Sequence, residues 1–287
     1  LPPDASAVGR LLSKDSPPDK VLLVVVESWG LARDPEENLF WQKLWASPSW
    51  SLSVGALPFV GATVQAEFRE LCGLFPHSLF IEMIPKADKC LPNILRAQGW
   101  RTQAFHGASS RMYRRDHWYP LVGFEQSTFF QQLKNESVKC TNIPGACDYS
   151  IAHRVVQTLR DDGKQFTYWL TLNSHTPYRA SDLSNPAIKD KVCPPLKLNG
   201  ARCAHAALIY DFMQSLKTEL ERDPIPGLEV ILVGDHVPHF FDAASRKQFD
   251  EGAVPYLGLR IPERSVAVPA DFPPAQKNDE NQSQLTN

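Results

Sequence analysis

Three aliphatic runs punctuate an otherwise mixed sequence, and each ends on a side chain able to hold a metal or a phosphate. Val21 to Val26 is six consecutive aliphatic residues, four of them valine, followed by Glu27. Gly227 to His236 reads Gly-Leu-Glu-Val-Ile-Leu-Val-Gly-Asp-His and closes on Asp235 and His236. Phe166 to His175 closes on Leu-Asn-Ser-His. Short apolar runs rich in β-branched residues predict strands buried on both faces, as at the centre of a parallel sheet. Open α/β sheets bind ligands at the C-terminal edge of such strands, which is where Glu27, His175, Asp235 and His236 fall. A lone acid at a strand end is more often a turn cap. Three strands that deliver Glu, Asp-His and His to one edge are hard to explain by packing.

Helical spacing fills the intervals. Leu39, Phe40 and Leu44 mark a short amphipathic helix within Asp34 to Trp50, and a second helix begins near Thr63 and stops at Gly73. Leu91 to Gln98 is a helix stopped by Gly99, followed by a strand from Thr102 to Phe105 that ends on His106-Gly107. Tyr149 to Arg160 is helical, and Ala204 to Arg222 is a longer helix with Leu208, Phe212, Leu216 and Leu220 in one stripe. Pro255 to Ile261 reads as a final strand. The expected fold is α/β, a doubly wound and mostly parallel sheet sandwiched by helices. Residues 1–19 read as an extended linker, 20–265 as one catalytic domain, and 266–287, rich in Pro, Gln, Asn and Ser, as a disordered tail. Trp41, Trp45 and Trp50 belong either to the core or to an exposed apolar rim, and core is the commoner fate. No internal repeat is present.

Composition changes this picture at two points. With 43 % apolar and 22 % charged residues among 287 and a net charge of −2, the chain is globular and has no field that would recruit nucleic acid. No apolar run reaches the roughly 18 to 20 residues that span a bilayer. The six cysteines fall into three local couples, Cys72 with Cys90, Cys140 with Cys147, and Cys193 with Cys203. Without histidines at zinc-finger spacing, local disulfides and an oxidising compartment are favoured over six reduced thiols in a cytosolic protein. Loops of this size stabilise by roughly 2 to 3 kcal/mol each in the chain-entropy picture.

Candidate chemistry collects around the strand ends. Thr63 opens a helix, where its hydroxyl either caps the first turn or faces an anion as a nucleophile beside the positive helix end. Glu27, Thr63, Asp235 and His236 together offer two carboxylates, an imidazole and a hydroxyl, a set that suits zinc, manganese or magnesium equally. A divalent metal held there would lower the pKa of the threonine hydroxyl and let it attack phosphorus. The segment Arg111-Met-Tyr-Arg-Arg-Asp-His-Trp-Tyr119 is either a solvated face or a clamp for anionic oxygens.

In order and spacing these stretches resemble the alkaline phosphatase superfamily. Within it they are most similar to the lipoteichoic acid synthase and phosphoethanolamine or phosphoglycerol transferase branch. The resemblance runs from Val21 to about Ile261. It rests on Val-Val-Glu-Ser-Trp-Gly, Gly-Ala-Thr-Val-Gln-Ala-Glu-Phe, Phe-His-Gly followed by Tyr-Arg-Arg-Asp, Asn-Ser-His-Thr-Pro-Tyr, and Gly-Asp-His. It implies Glu27, Thr63, Asp235 and His236 at a divalent metal and Thr63 as the nucleophile that becomes phosphorylated. His106, Arg115 and His175 would hold the headgroup phosphate, and Tyr113 stands where lipoteichoic acid synthases have Trp. His239, in Val-Pro-His after Gly-Asp-His, is either a second-site ligand or a surface histidine.

The implied activity is transfer of phosphoethanolamine or phosphoglycerol from a phospholipid donor to a cell-envelope glycan acceptor. Hydrolysis of a phosphoester is the alternative within the superfamily, and a non-catalytic glycan- or lipid-binding homologue is a third reading. Type I sulfatases need Cys/Ser-x-Pro-x-Arg, which Cys72-Gly-Leu-Phe-Pro does not supply. Members of the branch are anchored by N-terminal membrane helices. The resemblance therefore implies a monomeric catalytic domain at the periplasmic face of the inner membrane, with residues 1–19 leading in from the anchor.

Overall fold

The aliphatic run at residues 21–26 lies at the centre of the molecule, in a computed structural model that describes residues 3–12, 18–77, 84 and 86–263. Among these residues the strands are β1 (Lys20–Val26), β2 (Ser51–Pro58), β3 (Arg101–His106), β4 (Gln126–Thr128), β5 (Lys139–Cys140), β6 (Gly145–Ala146), β7 (Gln165–Leu170), β8 (Leu228–Gly234) and β9 (Ala253–Arg260). The helices are α1 (Ala7–Leu11), α2 (Pro35–Trp45), α3 (Thr63–Cys72), α4 (Leu91–Ala97), α5 (Arg115–Val122), α6 (Phe130–Leu133), α7 (Asp148–Gln157), α8 (Ile188–Val192), α9 (Gly200–Arg222) and α10 (Ala243–Arg246). The main sheet has the order β2-β9-β8-β1-β7-β3-β4, and β5 and β6 form a separate hairpin.

Alternation along β1 splits the interior in two. Leu22, Val24 and Val26 join the core under α2, α7 and α9, whereas Val21, Leu23 and Val25 join the core under α1, α3, α4 and α5. Successive side chains on a strand point to opposite faces, so a run with no polar member must be covered on both sides. Full burial of each such side chain is worth about 1.5 to 3 kcal/mol. β1 pairs in parallel with both β7 and β8, and β3 is parallel to β7 and β4. The fold is thus the α/β sandwich with a mostly parallel sheet that the hydrophobic pattern predicts.

The antiparallel flank was not legible in that pattern. β9 forms at the expected place but runs antiparallel to β8 and pairs with β2, an edge strand that sequence reasoning missed. Its residues, Ser-Leu-Ser-Val-Gly-Ala-Leu-Pro, are mostly exposed or half-buried, so no clean period of two marks them. Trp41, Trp45 and Trp50 are 4 %, 0 % and 6 % exposed, which settles them as core.

Residues 3–12 differ from the extended linker expected of 1–19. Ser6 caps α1 by accepting from the Gly9 amide at 2.9 Å. The amides of Ala7 and Val8 donate to the Glu70 carboxylate at 3.2 and 3.0 Å, which docks α1 on α3. Ala7 is completely buried, an anchor too short to show helical periodicity. The expected tail, 266–287, lies outside the described residues. All three cysteine couples are disulfides: Cys72–Cys90 joins α3 to α4, Cys140–Cys147 closes the β5–β6 hairpin, and Cys193–Cys203 ties the end of α8 to the first turn of α9.

Candidate active site

Glu27 follows β1 directly, Asp235 and His236 follow β8, and these neighbouring strands bring the three side chains into one cluster. Their ligand-type atoms all lie within 4.8 Å of one another. The ends of the strands are tied together: the Asp235 amide donates to Val26 O at 3.1 Å, and the Glu27 amide donates to Thr171 Oγ1 at 2.8 Å. Ser28, held at φ 54, turns the chain sharply after Glu27. Its amide donates to Asp235 Oδ1 at 2.7 Å and its hydroxyl to Glu27 Oε1 at 2.9 Å. A non-glycine residue in the left-handed region is a small strain, accepted here where it aims two carboxylates at one point.

Thr63 enters from the other side. It is the first residue of α3 after the N-cap Ala62, so its hydroxyl is one position too late to cap the helix, and Gln65 Oε1 accepts from the Ala62 amide at 2.9 Å. Thr63 Oγ1 instead lies 3.4 Å from Glu27 Oε2 and 3.4 Å from His236 Nε2. Of the two roles open to Thr63 in the sequence, this geometry belongs to the site-facing one.

The donor set fits a divalent cation. Asp235 Oδ2 is buried and has no hydrogen-bond partner among the described residues, yet it sits 3.2 Å from His236 Nε2. His236 Nδ1 lies 2.9 Å from the Val237 carbonyl, which can only accept, so Nδ1 carries the proton and Nε2 presents a lone pair. Two lone pairs facing each other in a buried site need a positive charge between them, which either a proton on Nε2 or a metal ion supplies. Burial and the nearby Glu27 carboxylate push the Asp235 carboxyl up to about 7. Burial works to lower His236, but Asp235 and Glu27 outweigh it and raise the imidazole above its usual range. Glu27, Asp235, His236 and Thr63 would hold the ion.

Beside this cluster is a cavity of about 390 Å³ whose wall includes Glu27, Thr63, His106, Tyr113, Arg115 and His175. His106, at the end of β3, donates from Nδ1 to Leu170 O at 3.0 Å, and its Nε2 is buried without a partner among the described residues. Burial, then the Arg115 charge, hold His106 well below the usual range, so it is a neutral acceptor. His175 lies in the loop after β7, with its carbonyl held by Asn142 Nδ2 at 2.5 Å and thereby fixed to the disulfide-closed loop 140–147. Ile143 of that loop also lines the cavity. His239 is exposed, its ring centroid 5.2 Å from that of His236, and it stands outside the ligand cluster.

Arg115 is placed differently from a free phosphate clamp. Its Nη2 and Nε reach Glu67 Oε2 at 2.7 and 3.1 Å, and the guanidinium is 5.2 Å above the Tyr113 ring. Burial alone would lower its pKa, but Glu67 more than reverses this and fixes the charge. Glu67 also accepts from Tyr119 at 2.6 Å and Tyr168 at 3.1 Å. Sequence reasoning missed this network. The available signals were Glu67 four residues after Thr63, hence on the same helix face, and a tyrosine inside an apolar strand.

Comparison with known proteins agrees with the fold. The sequence model of the Sulfatase family matches residues 58–262, more than half of the chain. The capsular polysaccharide biosynthesis protein RkpI of Rhizobium meliloti (strain 1021) is 27 % identical over 139 residues, 44 % of this chain and 26 % of that protein, so the chain spans about a quarter of this relative. The lipoteichoic acid synthase LtaP of Listeria monocytogenes superposes with a TM-score of 0.59 at 17 % identity, over 85 % of this chain and 65 % of that one. The phosphoglycerol transferase GacH of Streptococcus pyogenes, solved with sn-glycerol-1-phosphate, gives 0.58 at 17 % over 84 % and 68 %. The periplasmic domain of EptC from Escherichia coli, in complex with Zn, gives 0.53 at 16 % over 85 % and 73 %. The chain belongs to the Sulfatase family of the alkaline phosphatase superfamily, and shares its fold with the lipoteichoic acid synthase and phosphoglycerol transferase branch.

Proposed function

We propose that this domain moves a phosphoglycerol or phosphoethanolamine group from a phospholipid headgroup to a cell-envelope glycan, through a covalent intermediate on Thr63. The observation that carries this reading is the Thr63 hydroxyl 3.4 Å from both Glu27 and His236, beside the partnerless Asp235 Oδ2. A bound divalent ion supplies the Lewis acidity that makes a threonine hydroxyl nucleophilic at neutral pH. Thr63 Oγ1 forms a bond to phosphorus as the bond to the diacylglycerol oxygen breaks. A glycan hydroxyl then displaces the threonine, which makes the reaction ping-pong. His175 and Arg115 line the space for the headgroup, and His106 Nε2 accepts a hydrogen bond from it.

The wall favours phosphoglycerol. Glu27 is the single carboxylate on the cavity wall among the described residues, and Glu67 behind it is already saturated. The Tyr113 ring already faces a guanidinium. An ammonium would be desolvated there with no partner of its own, whereas a glycerol hydroxyl can donate to His106. The three disulfides, together with the periplasmic neighbour, support a site outside the cytoplasm. No helix among the described residues is long and apolar enough to cross a membrane.

The test is intact mass after incubation with phosphatidylglycerol or phosphatidylethanolamine and each of zinc, manganese and magnesium. A Thr63-dependent adduct of phosphoglycerol mass is expected. A phosphoethanolamine adduct would reverse the headgroup choice. Turnover to a free phosphoester with no adduct from either lipid would replace the transferase with a hydrolase.

A further inference from the structure

Arg69 stands six residues after Thr63 on α3, outside the metal cluster and outside the wall of the cavity beside it, and is only 1 % exposed. Arginine is almost never buried so deeply without partners. Its Nε donates to Glu70 Oε1 at 2.7 Å, and the two Glu70 oxygens also accept from the Ala7 and Val8 amides, which fixes the carboxylate. The guanidinium lies 4.3 Å from the centroid of the Phe59 ring, and Phe59 belongs to the loop that leads into Thr63.

A third contact separates this arginine from an ordinary buried ion pair. Its Nη2 donates at 2.9 Å to the carbonyl of Gly234, the residue directly before Asp235. Gly234 is where the ligand-bearing segments meet: a Cβ there would lie 1.9 Å from Trp29 O, so the loop after Glu27 presses directly on it. The next amide, that of Asp235, donates to Val26 O at 3.1 Å. Because the peptide unit is planar, a donor fixed on the Gly234 oxygen sets the tilt of the link to Asp235, and with it the direction in which the Asp235 side chain leaves the backbone. Asp235 Oδ1 is committed to the Ser28 and His236 amides at 2.7 and 2.6 Å, so that direction decides where Oδ2 points.

We propose that Arg69 is a positioning residue for the metal site. It is no ligand itself. By holding Gly234 O, with Glu70 as its anchor, it aims Asp235 Oδ2 at the ion and keeps α3, which carries Thr63, in register with the end of β8. The inference rests on Glu27, Asp235 and His236 binding a divalent ion, and not on the group transferred or its acceptor. Groups that orient metal ligands contribute roughly ten- to a hundredfold in metal affinity. A lysine in place of Arg69 keeps the charge opposite Glu70 but offers one nitrogen where arginine offers several on a rigid plane, so it cannot serve Glu70 and Gly234 O in the same geometry.

The experiment measures zinc affinity by competition with a chromophoric chelator in the parent, Arg69→Lys, Glu70→Gln and Leu216→Ala, the last a deletion in the core on the opposite face of the sheet. Arg69→Lys should bind zinc about tenfold more weakly or worse. The visible spectrum of its cobalt-loaded form should differ from that of the parent, since this absorption reports how the ligands are arranged around the ion. Glu70→Gln leaves Arg69 within reach of Gly234 O but removes the charge that anchors it, and should fall between the two. Leu216→Ala should lose stability in urea and keep the parental affinity and spectrum. The proposal is overturned if Arg69→Lys loses stability but binds zinc as tightly as the parent with an unchanged cobalt spectrum, or if Leu216→Ala loses as much affinity. Should Arg69→Lys fail to fold, Glu70→Gln decides by the same two readouts. Neither readout needs a lipid, so failure of the transferase reading leaves them unaffected, whereas a parent that binds no zinc overturns the metal site and this proposal together.

Discussion

Around Glu67 a buried carboxylate meets a guanidinium and two phenols, whereas around Thr63, one turn earlier on the same helix, two carboxylates meet an imidazole that presents a lone pair. The first cluster balances its charges and fills its hydrogen bonds. The second leaves Asp235 Oδ2 without a hydrogen-bond partner among the described residues and raises its carboxyl towards neutrality. Both are buried to similar degrees, so burial does not distinguish them. What distinguishes them is satisfaction: a complete polar network fixes shape, and an incomplete one with excess negative charge is built for a cation. α3 joins the two, so the cluster at Glu67 sets the position of the hydroxyl at Thr63.

The largest effect expected on this comparison is chemical. Thr63→Ala removes the hydroxyl through which α3 enters the incomplete cluster, and adduct formation and turnover should both be abolished, while metal content, measured by elemental analysis, stays near that of the parent. Turnover at the parental rate would show that water, not Thr63, attacks phosphorus.

Glu67→Ala attacks the complete cluster. It leaves the Arg115 charge buried without its partner, together with the hydroxyls of Tyr119 and Tyr168. Removing one member of a buried ion pair costs about 3 to 5 kcal/mol, readable as a fall in the urea midpoint. Glu67→Gln keeps an acceptor and should fall less. Equal stability of the alanine variant and the parent would mean that Arg115 finds solvent, and the contrast between the clusters would collapse.

Asp235→Asn should act with the opposite sign in metal-free protein. Asn can keep Oδ1 as acceptor for the Ser28 and His236 amides, which lie at 2.7 and 2.6 Å, while one of the crowded negative charges disappears. Chelated protein should gain stability near neutral pH, because the folded site holds the Asp235 carboxyl up at about 7 and so works against its charge there. The same variant should lose its metal. A loss of stability without metal would show that the cluster is balanced without a cation.

These clusters also show how far the sequence could be read. The ligand strands were legible because an aliphatic run that stops on an acid is a local pattern. Thr63 was legible only as an ambiguity, since a helix-opening threonine looks the same whether it caps or reacts, and the deciding fact, its hydroxyl beside Glu27 and His236, is tertiary. Arg115 was legible as a cation near the site but not as the partner of Glu67, because 48 residues separate them. β2 and α1 were missed for another reason. An edge strand exposed along most of its length and a five-residue helix carry too few buried positions to imprint a period.

His205 tests the comparison at a third point, the support of the loop after Glu27. Its Nε2 donates to Ser28 O at 2.8 Å, it is 2 % exposed, and burial followed by the Arg202 charge lower its pKa to about 3. In the unfolded chain the same imidazole titrates near 6.5. As pH falls below that value the unfolded chain takes up a proton that the folded protein refuses, so stability is full above the unfolded pKa and is lost on acidification towards the folded one. One pH unit below the unfolded value the loss is about 1.4 kcal/mol. The unfolding free energy of the parent, from urea melts, should therefore fall between about pH 7.5 and pH 5.5 by that much more than that of His205→Gln, whose amide can still donate to Ser28 O but does not titrate. Parallel pH profiles for the two proteins would show that His205 is free to take up a proton in the fold, and that the loop holding Glu27 does not depend on a neutral, buried imidazole.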